Sequence, residues 1–389
     1  MDAMNVKRFL NYFWEYFKRL DKLLLLLCVI ACSFSAFMLY SMVVNDVSEY
    51  VKERHYVMQL GMMGMGLFAA LVIAAVNYKH LAKFWYIGAF IGITLMLLLF
   101  TPLGVQTEGS EEVNWLYLGF TAIQPSEFLK FFYIISFSAH LAKLGKKMNK
   151  IPNLILLLVH AAVPVLLVIS RGDFGTTLVF ILITFTMLFI AGLYWRYIAA
   201  IIAMMPVAGF VVWNFVFKSY HKLRFLVIFD EEIREAEMLN FFDQQRRSLI
   251  AIGSGELTGK GLFGGEYIYI PEFQTDFIFA YIGMTLGFVG CVATLCLIAF
   301  ILIRILINCL AAKDPLGKYI CVGVFAMFFY NTIINIGMVL AVLPVIGQTL
   351  PFISAGGSSV LALFMAIGLV LSVRAHKDKK YHMFYTEKD

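Results

Sequence analysis

Apolar residues fall in blocks of about twenty, separated by short polar breaks, from residue 23 almost to the end of the chain. As a helix, each block is long enough to cross a hydrocarbon layer about 30 Å thick. Ten blocks stand out, near 23–44, 57–76, 84–103, 123–142, 153–170, 174–192, 197–217, 277–303, 317–345 and 352–373. None has the alternating pattern of a membrane barrel strand, and a spanning helix satisfies its own backbone within lipid. The pattern predicts an all-α integral membrane protein of about ten transmembrane helices, a single membrane domain over residues 1–389. The longest break, 218–275, predicts one large loop, and 1–22 and 374–389 are polar ends.

Composition agrees: 61% hydrophobic and 14% charged residues exclude a soluble domain of this size. Charge placement orients it. Lys7, Arg8, Lys18, Arg19 and Lys22 precede the first block, Lys143, Lys146, Lys147 and Lys150 fill one short loop, and Arg374, Lys377, Lys379 and Lys380 follow the last block. Residues 104–122 and 346–351 hold no lysine or arginine. By the positive-inside rule both termini face the cytoplasm and the 218–275 loop is extracellular; its seven basic residues weigh little in so long a loop. The net charge of +6 follows from this bias and gives no reason to expect a nucleic-acid partner.

Val29-Ile30-Ala31-Cys32 has the look of a lipoprotein cleavage box, but the apolar run continues past Cys32, which predicts an uncleaved first span. The six cysteines lie in or beside predicted spans without CxxC spacing and read as buried free thiols. No internal repeat is visible, which disfavours a repeat-built transporter. Within the large loop, Arg224 to Ile252 reads as an amphipathic helix with Phe225, Leu239, Phe241 and Phe242 among charges, lying either along the membrane surface or against the bundle.

Candidate chemistry gathers at the outer ends of the spans. Asp276 stands where the polar loop becomes an apolar helix, placed either to cap that helix or to act as a base beside a lipid head group. Gln124-Pro125-Ser126-Glu127 opens the fourth span, and Lys130 follows inside it, where a cation is costly and faces a partner or a cavity. A local Glu127–Lys130 pair and a phosphate-binding cation are both open readings. Arg171 and Asp173 share a tight outer turn and pair with each other or with Lys130. Trp115 lies near Glu108, Glu111 and Glu112, as a belt residue or as a platform for a sugar ring. The run Gly253–Gly261 ends in Gly-Lys-Gly but lacks P-loop spacing; it reads as a flexible loop whose N–H groups approach an anion. Asn331 and Asn335 share one helix face and read as inter-helix hydrogen bonders.

Six segments in order resemble the SEDS family (shape, elongation, division and sporulation; RodA, FtsW and SpoVE): Gln124–Lys130, Gly172–Thr176, Ser248–Gly261, Pro271–Ala280, Asn335–Val339 and Leu343–Ser359. The resemblance implies a peptidoglycan glycosyltransferase that polymerises lipid II at the outer face of the bacterial cytoplasmic membrane, beside a class B penicillin-binding protein. It implies that Asp276 is the essential aspartate, Trp115 the loop tryptophan, and Lys130 the lysine closing the QPSE motif. The family's basic residue before the tryptophan is Asn114 here, its histidine before the aspartate is Gln274, its GEELG is Gly283–Gly287 (GMTLG), and its tyrosine before GGSS is Ala355. The stretch Gln245–Gly253 is closest to RodA, the elongation branch.

The expected mechanism is an inverting transfer. Asp276 acts as general base on the acceptor hydroxyl, and Lys130, Lys260 or Arg246 offsets the leaving pyrophosphate, with Trp115, Glu127 and Asp173 completing the substrate site. No ligand cluster demands a metal, although a divalent cation (Mg or Mn) suits a pyrophosphate. A lipid II flippase and a non-catalytic scaffold for the penicillin-binding protein are the alternatives; mostly plain apolar cytoplasmic halves argue against flipping. Membrane lipids are expected partners throughout.

Overall fold

A computed structural model describes residues 18–47, 51–106, 112–119, 122–237, 242–263 and 265–377. Lys7, Arg8, Glu108, Glu111, Leu239, Phe241, Lys379 and Lys380 lie outside the described residues. In chain order the helices are α1 (Lys22–Val44), α2 (Glu53–Ala75), α3 (Tyr78–Lys83), α4 (Trp85–Leu98), α5 (Pro125–Leu144), α6 (Ile151–Ile169), α7 (Phe174–Ile190) and α8 (Trp195–Val211). They continue with α9 (Ser219–Phe229), α10 (Glu231–Ala236), α11 (Asp243–Ser254), α12 (Ile278–Ala311), α13 (Pro315–Val339) and α14 (Gly357–His376).

Each predicted span contains a helix. Among the described residues seven helices are long and apolar enough to cross a membrane, α8 with its π-helical extension to Val216 included. The third and sixth blocks give the shorter apolar helices α4 and α7, and α5 is twenty residues long but carries Glu127 and Lys130. The chain is a multi-pass membrane protein. The last helix, α14, is its best buried element and lies along α2. Small residues bring the two together: a Cβ on Gly66 would strike Phe364, and one on Gly368 would come within 2.8 Å of the Ala70 carbonyl oxygen. The apolar blocks at 317–345 and 352–373 do not stay helical where they meet, because Pro344, Gly347 and Pro351 interrupt them. Residues 340–356 form an irregular crossing instead.

One element is added to the predicted pattern and two expectations need correction. The all-α bundle stands, and strands β1 (Gly104–Val105), β2 (Trp115–Tyr117) and β3 (Ala122–Ile123) make a small antiparallel sheet over it, with Val105 opposite Trp115. The Arg224–Ile252 stretch is three helices, since Asp230 ends α9 and caps α10 by accepting from the Ile233 N–H at 3.1 Å. Of these, α11 packs on the bundle: Gln245 donates to the carbonyls of Met338 and Leu343, and Ser248 to that of Val339. Finally, Cys296 is exposed on α12, while the other five thiols are buried.

The glycine-rich run has a structural task. Helix α12 breaks at Gly287 (φ 65°, ψ −161°). The N–H groups of Lys260 and Gly261 donate to Met284 and Thr285 at 2.9 and 3.0 Å, while Phe288 and Val289 donate to Glu256 and Leu257. Of the amides expected to approach an anion, those of Lys260 and Gly261 are thus taken by the broken helix, and the loop stands in for the missing ladder. Those of Gly255, Glu256 and Gly259 are taken locally, by the carbonyls of Ile252, Gly253 and Gly255. A Cβ on Gly287 would lie 2.4 Å from the Gly259 nitrogen. Gly287→Ala therefore combines a collision with a backbone strain of about 1–3 kcal/mol. It is expected to melt several degrees below wild type in detergent, whereas Gly253→Ala, which meets nothing within 4 Å, is not.

Candidate active site

The turn carrying Asp276 is fixed through three successive carbonyls. Gln274 O accepts from the Ala355 N–H at 2.8 Å, Thr275 O from Ser354 Oγ at 2.6 Å, and Asp276 O from Asn335 Nδ2 at 2.8 Å. The same Asn335 amide group donates to Gln348 O at 2.7 Å. Asn335 therefore bonds to two irregular segments rather than to another helix. Gln348 in turn donates to Thr176 Oγ1 at 3.2 Å, and Ser354 Oγ accepts from the Leu350 N–H at 2.7 Å. Gly175 allows this approach, since a Cβ there would sit 2.2 Å from Ile346 O.

The backbone is held and the carboxylate is left free. Helix α12 starts at Ile278 with Phe277 as its N-cap and no side-chain cap, so Asp276 does not cap it. No hydrogen bond reaches its carboxylate from the described residues. It is half-buried, facing Gly347, where an added Cβ would come 3.6 Å from Oδ2. Burial, then the charges of Glu272, Glu112 and Asp173, push its pKa up to about 7 against the opposing pull of Arg224.

The neighbours arrive from separate elements. Glu112 lies beside Gly172 and accepts from Asn114 Nδ2 at 2.9 Å; burial and the Asp173 charge raise it to about 7. Asp173 N-caps α7 by accepting from the Thr176 N–H at 2.8 Å, and burial raises its pKa although that hydrogen bond and Lys130 oppose the shift. Lys130 is fully buried and pairs with Glu127 at 2.7 Å. The local pair is formed, and its field also reaches Asp173. Arg171 instead donates to Leu99 O at 3.1 Å and stacks 3.9 Å from the Phe100 ring.

Strand β2 sets Trp115 at the edge of a cavity of about 140 Å³ with His55, Gln59, Gln274 and Thr275, beside the Asp276 turn. Lys260 and Arg246 are engaged elsewhere, Lys260 Nζ with Glu266 O at 3.2 Å and Arg246 with Asp243 at 3.2 Å. The cation whose field acts on Asp276 and on Glu112 is Arg224, which donates to Val345 O at 3.1 Å. Sequence reading missed Arg224 as a site residue, and neither Glu272 nor Glu112 had been linked to Asp276. Among the described residues no three His, Cys, Asp or Glu side chains are arranged to hold a metal ion.

The raised pKa has a stability consequence. Between about pH 4 and about pH 7 the unfolded chain ionises Asp276 while the folded site keeps it protonated, so this group costs stability progressively as pH rises. Asp276→Asn removes the cost. Its melting temperature is expected to match wild type near pH 4 and to exceed it by a gap that grows to pH 7 and then levels off.

The fold and the sequence both have known relatives. A crystal structure of the rod shape determining protein RodA of Thermus thermophilus superposes with a TM-score of 0.69 at 23% identity, covering 93% of this chain and 98% of that one. A chain of a peptidoglycan synthase complex superposes with a TM-score of 0.78 at 24% identity, covering 93% and 99%. These establish a shared fold. The chain is 31% identical over 376 residues to peptidoglycan glycosyltransferase MrdB of Escherichia coli (strain K12), covering 94% of this chain and 96% of MrdB. It is 32% identical over 327 residues to stage V sporulation protein E of Bacillus subtilis (strain 168), covering 81% and 85%. The FtsW/RodA/SpoVE family model, described as cell cycle protein, matches residues 21–379. With a match over nearly its whole length, the chain belongs to the FtsW/RodA/SpoVE family of cell cycle proteins.

Proposed function

We propose that this protein is a peptidoglycan glycosyltransferase that polymerises lipid II, with Asp276 as general base. The observation that carries the reading is an Asp276 carboxylate without a hydrogen-bond partner among the described residues, on a turn locked at three carbonyls, beside a cavity edged by Trp115. A pKa near 7 suits a base, which must be ionised before it acts and still able to take a proton.

In the proposed step the acceptor sugar's 4-hydroxyl attacks the anomeric carbon of the donor. The new C–O bond forms as the bond to the pyrophosphate breaks, with inversion, and the hydroxyl proton passes to Asp276. Trp115 offers a ring face to a sugar, and Gln274 at the same cavity offers an amide to its hydroxyls. Arg224 is the cation best placed to offset the departing pyrophosphate, because its field reaches Asp276 and Glu112, whereas those of Lys260 and Arg246 do not figure there; Lys130 contributes through Asp173. Positioned charge of this kind acts strongly in a water-poor site. The orientation that suits this chemistry puts both termini in the cytoplasm and the Asp276 end outside, in the bacterial cytoplasmic membrane. A class B penicillin-binding protein is the partner this reading calls for, and cell elongation the process.

Purified protein with its penicillin-binding partner is expected to convert labelled lipid II to glycan ladders, and Asp276→Asn to slow this by about 10²–10⁴-fold. Near wild-type ladders from a folded Asp276→Asn protein would refute the base assignment. The rate should rise with pH through an apparent midpoint near 7. Glu112→Gln removes a charge that raises the Asp276 pKa, so its midpoint should fall to lower pH. Arg224→Ala should lower the rate more than Arg246→Ala does.

A further inference from the structure

A second site stands at the opposite end of the bundle, about one helix length from Asp276. There the 3₁₀ turn Gly145–Asn149, between α5 and α6, meets the turn between α7 and α8. Asn149 joins them. Its Oδ1 accepts from the Tyr194 N–H at 2.9 Å, its Nδ2 donates to Gly192 O at 2.9 Å, and its carbonyl accepts from Tyr197 Oη at 3.0 Å. The two turns border an open cleft of about 490 Å³ lined by the exposed Lys146, Lys150 and Arg196. Arg196 is held over it, donating to Tyr197 Oη at 3.2 Å and lying 4.9 Å from the Tyr197 ring centre and 5.3 Å from that of Tyr194.

Nothing at this cleft balances the charge. It has no acidic lining residue, and among the described residues none of the three cations has an ion pair. Two helices also begin here, α6 after Lys150 and α8 after Tyr194, and neither has a side-chain cap. Pro152 has no N–H and the Tyr197 N–H is bonded to Tyr194 O, but the remaining first-turn N–H groups and the two helix dipoles add positive potential at the same place. A general bias of lysines toward one side of a membrane accounts for the cations but not for two uncapped helix starts meeting them across a cleft whose two sides Asn149 ties together. From this cleft α6 and α8 continue with exposed apolar side chains, among them Ile151, Ile155, Ile202 and Met205, and Trp195 is exposed at the start of α8. The ligand that matches is an anion attached to apolar chains.

We infer that this cleft binds the phosphate head group of an anionic glycerophospholipid, with its acyl chains along α6 and α8. Basic pockets between spanning helices are suited to such head groups. The binding is independent of the glycosyl-transfer reading, so either can fail without the other.

The test is native mass spectrometry of protein released from nanodiscs of mixed phosphatidylglycerol and phosphatidylcholine. Wild type should retain phosphatidylglycerol, and Lys146→Ala/Lys150→Ala/Arg196→Ala should retain roughly tenfold less. Lys83→Ala/Lys318→Ala/Lys377→Ala, which removes three cations from the same end, should retain as much as wild type. The milder Lys150→Gln/Arg196→Gln pair serves if the triple variant melts early. Equal retention by the two sets, or no preference for phosphatidylglycerol in wild type, would overturn the proposal. Displacement of the lipid by millimolar inorganic phosphate would also overturn it, by assigning the site to free phosphate.

Discussion

Irregular backbone at the end of a membrane bundle needs a partner for every buried polar group, because lipid supplies none. That constraint shapes this protein around Asn335. One amide nitrogen on α13 holds the carbonyls of Asp276 and Gln348 together, and so ties the turn before α12 to the crossing that leads into α14. Ser354 and the Ala355 amide complete the fixation of the turn, and Gln59 from α2 supports the crossing by donating to Ser354 O at 3.3 Å. With the backbone so occupied, the Asp276 carboxylate is the group left to meet something outside the fold.

The electrostatics follow from the same crowding. Glu112, Asp173 and the Glu272–Asp276 turn come from three separate segments; burial raises Glu112, Asp173 and Asp276, and repulsion within the cluster adds to it at Glu112 and Asp276. A cluster of acids at this density costs stability, which is usual where a site is organised for chemistry. Arg224 relieves part of it, and the buried Glu127–Lys130 pair adds a fixed dipole behind Asp173. A buried ion pair is weak support for a fold, so its place beside Asp173 is better explained by the site than by stability.

The helices were legible because twenty-residue apolar blocks leave few alternatives, and the boundary at Asp276 was legible because polarity changes there. The sheet that carries Trp115 was not: strands of two and three residues have no period to read. The glycines from 253 to 261 misled, since their purpose depends on a helix break at Gly287 far along the chain, and no local signal links the two. Arg224 was invisible for a similar reason. It looked like one charge among many on an amphipathic stretch, and only the turn at Asp230 and the approach of Val345 bring it to the site. Of the residues singled out beforehand, Asp276, Asp173, Glu127 and Lys130 do converge, with Trp115 at the adjoining cavity. Lys260 and Arg246 form their contacts elsewhere.

The central claim is that the fold holds the Asp276 carboxyl near its midpoint at neutral pH. Infrared difference spectroscopy across a pH titration, wild type minus Asp276→Asn, isolates that group. A protonated-carboxyl band that disappears with a midpoint near pH 7 is the predicted result. A band already gone by pH 5 would mean an ordinary, well-solvated carboxylate and would contradict the account.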